Sequence, residues 1–274
     1  MHAGIRTAAC LLIVLLAAGA VRFQTAAGQE QHETITVFAA ASYTEAFTEL
    51  GRRFERSHPG TTVVFNFAGS QVLLQELRHG AAGDIFAPAS PAAMKEAMEG
   101  GYIDTATVFT LCTNRLVVVL PADNRAGIGS LRDLAGKNIK IVLAQKEVPV
   151  GAYAAEVIAK CGRKFGEEYA GRVAGNVVSY EENVKAIVGK VRLGEADAGF
   201  VYQSDAATDS LHTLRSLEIP PELNVTAVYP IGMIGPAGAR TTATAFLDFC
   251  RGPETGKILR RFGFLPAPPD KGKE

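Results

Sequence analysis

The stretch ITVFAAASYTEAF, residues 35–47, decides the fold. β-Branched and aromatic residues come first, then three alanines, then Ser42, and then a helix-like pattern over about 43–57. An apolar run of strand length that hands over to a helix is the unit of an open α/β sheet. The same unit recurs outward from it. TTVVFNFA (61–68) reads as a strand, and SQVLLQELRHG (70–80) as a helix with a glycine stop. DIFAPA (84–89) is a third strand and SPAAMKEAMEGG (90–101) a third helix, with Ser90 as cap and Pro91 in its first turn.

Farther along, strands are expected at 115–121, 139–144, 176–180, 198–203 and 225–234. Helices are expected at 130–136, 151–160, 181–193, 240–251 and 253–262. Strand followed by helix, repeated, predicts a mostly parallel sheet with helices on both faces.

At 274 residues and 47% hydrophobic content the chain can bury a large core. Its formal charge is zero and its basic residues are scattered, which excludes a nucleic-acid surface. Residues 1–28 read as a signal peptide. Arg6 precedes AACLLIVLLAAGA (8–20), an apolar run too short to span a bilayer, and small residues follow in TAAGQ (25–29). The competing reading is an uncleaved anchor. Removing 1–28 leaves 26 basic against 28 acidic residues, a net charge of −2. Cys10 precedes most of the apolar run, which does not fit a lipid-modified cysteine. Cys112, Cys161 and Cys250 remain. An odd number leaves at least one free, no two make a CxxC pair, and each reads as a small buried hydrophobe. The tail 267–274 reads as flexible.

Two serines stand where an α/β sheet places its ligands, beyond a strand and at the start of a helix. They are Ser42 after FAAA and Ser70 after FAG. Helix N-termini offer unpaired N–H groups and partial positive charge. Three readings of Ser42 stay open at this point: anion ligand, nucleophile, or mere helix cap. SYTE (42–45) has the spacing of a capping box. The nucleophile needs a histidine base and gains no GxSxG elbow here. HExxH, clustered carboxylates, GxGxxG and Walker patterns are all missing.

In order and spacing, ITVFAAAS, FNFAGS, GDIFAPAS, RLVVVLP, VPVGAYA, SYEENVKAIV, GFVYQSDA and RFGF resemble the periplasmic molybdate-binding proteins of ABC transporters. The resemblance covers about residues 34–265. It implies a bilobed periplasmic-binding-protein type II fold, α/β, with two mixed, mostly parallel sheets and crossover strands at a hinge. Lobe one would be 34–113 with 228–266, and lobe two 114–227, crossing near Asn114 and Tyr229. Ligand contacts would come from the hydroxyls and N–H groups of Ser42 and Ser70. The backbone N–H of Val150 and Val184 and the phenol of Tyr202 would complete the set. By themselves the last three read as core or loop residues.

The resemblance further implies a monomer in the periplasm that binds molybdate or tungstate. The metal would be held only through the oxyanion oxygens. The protein would carry no cofactor, perform no catalysis and deliver its cargo to a membrane permease. Two departures stand out. Val150 replaces the alanine common in relatives, with a bulkier side chain facing the cleft. Gly69 replaces a small polar residue of some relatives, a change expected to be harmless. Rival readings are a protein for another oxyanion such as sulfate, a ligand-sensing regulator domain, and a secreted serine hydrolase. The regulator would need a DNA-binding helical unit, which the chain lacks.

Overall fold

The computed structural model describes residues 32–209, 212–235 and 241–268. The predicted signal segment and residues 269–274 of the predicted tail lie outside the described residues. The first half of the chain alternates strand and helix. It contains β1 (Glu33–Ala40), α1 (Thr44–Ser57), β2 (Thr61–Ala68), α2 (Ser70–Arg78), β3 (Ile85–Ala87) and α3 (Pro91–Glu99). The long strand β4 (Phe109–Pro121) leads to β5 (Ile141–Ala144), α4 (Pro149–Phe165), α5 (Glu168–Gly175) and β6 (Val177–Glu181). Then come α6 (Val184–Arg192), β7 (Ala198–Tyr202), α7 (Gln203–Ala207), β8 (Leu214–Glu218) and β9 (Thr226–Met233). The chain closes with α8 (Thr241–Arg251), α9 (Pro253–Arg261) and β10 (Leu265–Pro266).

Strand β1 shows why the sheet is covered on both faces. Ile35, Val37 and Ala39 join the large core with Phe47, Leu50 and Phe54 of α1. Phe38 points the other way, into a second core with Leu73 and Leu77 of α2, Phe86 of β3 and Met94 of α3. That is the period of two of a strand buried on both sides. Each of the larger side chains among these contributes roughly 1.5–3 kcal/mol on burial. Ser90 caps α3 as expected, its hydroxyl accepting the Ala93 N–H at 3.2 Å.

The strands follow one path, β2-β1-β3-β9-β4-β7-β5-β6, with β8 and β10 pairing with β4. The pairs β1–β2, β1–β3, β5–β6 and β5–β7 are parallel. Every pair made by β4 or β9 is antiparallel. The sheet is therefore mixed, and its antiparallel share is larger than strand–helix alternation suggests. β4 pairs with β9 over Phe109–Arg115, then with β7 and β8 from Leu116 onward. The change of partner is fixed by buried amides. Asn114 donates to Ser204 Oγ at 2.9 Å, and Asn224 both accepts the Leu116 N–H and donates to the Leu116 carbonyl.

Four elements escape the sequence reading: α5, α7, β8 and β10. β4 begins at Phe109 rather than Arg115, because its first half mixes polar and apolar residues. Cys112, Cys161 and Cys250 are all buried and unpaired.

Candidate functional site

Ser42, Ser70, Val150, Val184 and Tyr202 line one small cavity. The rest of its wall includes Ala40, Ala41, Ala68 and Ala89, whose short side chains leave backbone exposed to a guest. All five named residues are buried. No charged side chain lines the cavity among the described residues. Its volume, measured to the centres of water-sized guests, is about 20 Å³. A sphere of that size widened by a water radius of about 1.4 Å has a radius of about 3 Å.

Local structure explains how the donors converge. Ser70 and Val184 are the first residues of α2 and α6, and Val150 is the second of α4. N–H groups at those positions have no partner inside their helix. Pro149 opens α4, which starts before Gly151. The proline rule that locates α3 also locates this start. Asn183 caps α6, its side chain accepting the Ala186 N–H at 3.1 Å. Ser42 lies in a 3-10 turn, Ala41–Tyr43, just ahead of α1.

The capping-box reading of Ser42 does not hold. α1 has Tyr43 at its cap position and no side-chain cap hydrogen bond. The Ser42 hydroxyl instead meets the Tyr229 hydroxyl at 3.1 Å, and Glu45 turns to Lys185. Ser70 Oγ accepts the Ala89 N–H at 2.9 Å, which leaves its own O–H free to donate. Neither serine is paired with a histidine among these contacts, as a nucleophile requires. Tyr202 is 2% exposed and its hydroxyl has no hydrogen-bond partner among the described residues. Burial pushes its phenol well above the ordinary range, as it does for Tyr229. Tyr229 stands edge-on to Tyr202, ring centroids 5.5 Å apart, near enough to moderate that shift without an aligned hydrogen bond. Sequence reasoning missed Tyr229 as a partner of the site, since its only signal was a place on a strand 187 residues from Ser42.

Charge stands behind the cavity wall. Lys185 Nζ lies 2.7 and 3.0 Å from the Glu45 carboxylate and 3.1 Å from Asp205 Oδ1, the last out of hydrogen-bond alignment. The two ends of the Lys185–Asp205 pair respond oppositely. Burial pushes Asp205 up to about 6, against the pull of Lys185. Lys185 is held charged more firmly, because two carboxylates outweigh its own desolvation. The Asp205 shift follows from its enclosure, since its side chain is fully buried while Lys185 keeps 27% exposure.

Gly69 sits in a tight place. A Cβ there would stand 2.5 Å from the Glu182 carbonyl and against the Gln71 amide. A small polar residue is therefore not a neutral replacement in this arrangement. Gln71 Nε2 donates to the same carbonyl at 2.8 Å.

A family model described as bacterial extracellular solute-binding protein matches residues 35–265. The molybdate-binding protein ModA of Mycobacterium tuberculosis (strain H37Rv) is 33% identical over 231 residues, 84% of each chain. Among solved structures, the substrate binding domain of a putative molybdenum ABC transporter from Clostridium difficile superposes with a TM-score of 0.65. It is 26% identical, covering 86% of this chain and 99% of that one. The sulfate-binding protein SubI of M. tuberculosis superposes with a TM-score of 0.76 at 17% identity, covering 87% and 88%. That last likeness speaks for the fold alone. A family of solute-binding proteins is not an enzyme family, and the matched span contains every residue that lines the cavity. The chain belongs to the bacterial extracellular solute-binding proteins.

Proposed function

We propose that this protein binds molybdate outside the cytoplasm and hands it to the membrane permease of an ABC transporter. The observation that carries the reading is the cavity itself, small, buried and walled by neutral donors, with the unpartnered Tyr202 hydroxyl in its wall. A guest radius of about 3 Å suits a tetrahedral oxyanion and is smaller than a sugar or a peptide needs. Relatives named as molybdate-binding proteins support the choice of ion.

The five residues supply seven donors: the hydroxyls of Ser42, Ser70 and Tyr202 and the N–H groups of Ser42, Ser70, Val150 and Val184. Three helix N-termini add partial positive charge at the dianion. A hydrogen bond to a charged group is worth roughly 1.5–3 kcal/mol. Several together reach sub-micromolar binding after the costs of association, since 1 µM is about 8 kcal/mol. With each hydroxyl donating to the guest, hydrogen phosphate is disfavoured, because its own O–H finds no carboxylate in the lining to accept it. Sulfate is rejected by size, being smaller, and tungstate, of nearly equal size, binds as molybdate does.

In this reading the protein is an exported periplasmic monomer. Its lobes, 34–113 with 228–266 and 114–227, close on the anion about the long strands β4 and β9. Among the described residues no helix is long and apolar enough to cross a membrane.

The test is isothermal titration of the dialysed protein with molybdate, tungstate, sulfate and phosphate. The expected result is tight 1:1 binding of the first two, weak sulfate and no phosphate. The chain has no tryptophan, so heat is the better signal. Tightest binding of sulfate would keep the fold and overturn the ion, whereas silence towards all four would overturn the reading.

A further inference from the structure

The charges nearest the cavity stand one layer behind it, and their positions are tied to the proposed contacts. Glu45 follows Ser42 by three residues, Lys185 follows Val184 directly, and Asp205 follows Tyr202 by three. Asp205 Oδ2 also faces the Tyr202 N–H at 3.3 Å. One ammonium group, Lys185 Nζ, touches both Glu45 oxygens and Asp205 Oδ1. It therefore joins α1, which packs on β2, to α6 and α7, which pack on β4 and β7. The Gln71–Glu182 hydrogen bond makes a second tie between the same two parts of the molecule.

The three members differ in exposure. Glu45 is 38% exposed, Lys185 27% and Asp205 not at all. Asp205 and Lys185 belong to neighbouring helices on the same side, so their pair is kept whether or not α1 is near. The Glu45 arm spans 140 residues of sequence and depends on α1 lying close to α6.

We propose that Lys185 is a positioning residue for anion binding, whose ion pair with Glu45 latches the Ser42-bearing part of the molecule onto the part that carries Val184 and Tyr202. This inference rests on the oxyanion reading above. A contact made only in the closed arrangement prolongs the life of the complex more than it speeds encounter. Because the arm is partly exposed, salt weakens it.

The experiment loads the full protein with radiolabelled molybdate and follows release into an unlabelled molybdate chase, at low and high sodium chloride. Glu45→Gln is the principal variant, since it removes the arm at a half-exposed position and leaves the buried pair intact. Release from Glu45→Gln is expected to be about fivefold faster than wild type at low salt, with association little changed. Wild-type release should quicken with salt towards the rate of Glu45→Gln, which should itself respond weakly. Lys185→Arg should stay near wild type. Lys185→Met leaves Asp205 uncompensated and risks misfolding, so Lys185→Met/Asp205→Asn replaces it and should match Glu45→Gln. Equal low-salt release from wild type and Glu45→Gln, or the same salt response in both, overturns the latch. Failure of the wild type to retain molybdate at all overturns the oxyanion reading instead, and the latch falls with it.

Discussion

The two walls of the cavity are built differently. The wall from β1 and β2 offers serine hydroxyls already held by neighbours, Ser42 by Tyr229 and Ser70 by the Ala89 N–H. The wall from α4, α6 and β7 offers backbone N–H groups at helix starts and a phenol that has no hydrogen-bond partner among the described residues. The first wall is oriented before a guest arrives. On the second, Tyr202 bears the cost of an unpaired buried hydroxyl until one does. In the proposed function preorganised and unsatisfied donors serve the same anion, but their removal has opposite consequences for the empty protein.

The largest effect is expected from the first wall. Ser42→Ala with Ser70→Ala removes two hydrogen bonds to a charged guest, roughly 3–6 kcal/mol together. Molybdate affinity in a titration should fall by at least about a hundredfold. Unchanged affinity would break the assignment of this wall.

Between the walls lies Asp205, and the test there is pH. Its folded pKa of about 6 stands above the ordinary carboxylate value of about 3.9. Its contribution to stability is thus fully present below about pH 4 and is lost as the pH rises through about 6. The amount is on the order of 2–3 kcal/mol. Charged or titratable groups near it are Lys185, Glu45, Tyr202 and Tyr229. Urea unfolding at pH 4.5, 5.5 and 7 should show the difference between wild type and Asp205→Asn shifting across that window. Asp133 and Asp209, held below the usual range by hydrogen bonds from their neighbours despite some burial, lose stability on acidification in both proteins, so only the difference is read.

Tyr202→Phe sharpens the contrast. Affinity should fall by about 10- to 100-fold, as one charged hydrogen bond is lost. The empty protein should melt at the same temperature or higher, because a buried unpaired hydroxyl is gone. A lower melting temperature would show that the phenol is satisfied without a guest. The smallest effect is expected at Val150→Ala. The backbone donor stays, so affinity should change by less than about fivefold, and the relative binding of tungstate and molybdate is the more sensitive reading of cavity size.

Legibility in the sequence follows the same division. β1, β2, α1 and α6 are plain from period and punctuation, since β-branched runs of strand length and amphipathic helices are local signals. Ser42 and Ser70 are visible too, because a hydroxyl at a strand–helix junction is a side-chain signal. The role proposed for Val150 and Val184 is through backbone, and any residue carries an N–H. Only the helix starts at Pro149 and Asn183 hint at them. Without the family resemblance they read as ordinary valines. β8 and α5 were missed because one is an edge strand of mixed polarity and the other a short helix between two stronger signals.

The sequence by itself determined that the chain is an α/β protein with anion-suited serines at two junctions, because alternation of buried strands and helices is a local pattern. The tertiary structure alone decided that Ser42 faces Tyr229 instead of capping α1, that Gly69 has no room for a side chain, and that Lys185 meets carboxylates 140 residues before it and 20 after. Those outcomes depend on contacts between segments remote in the chain, and packing, not local propensity, sets such contacts.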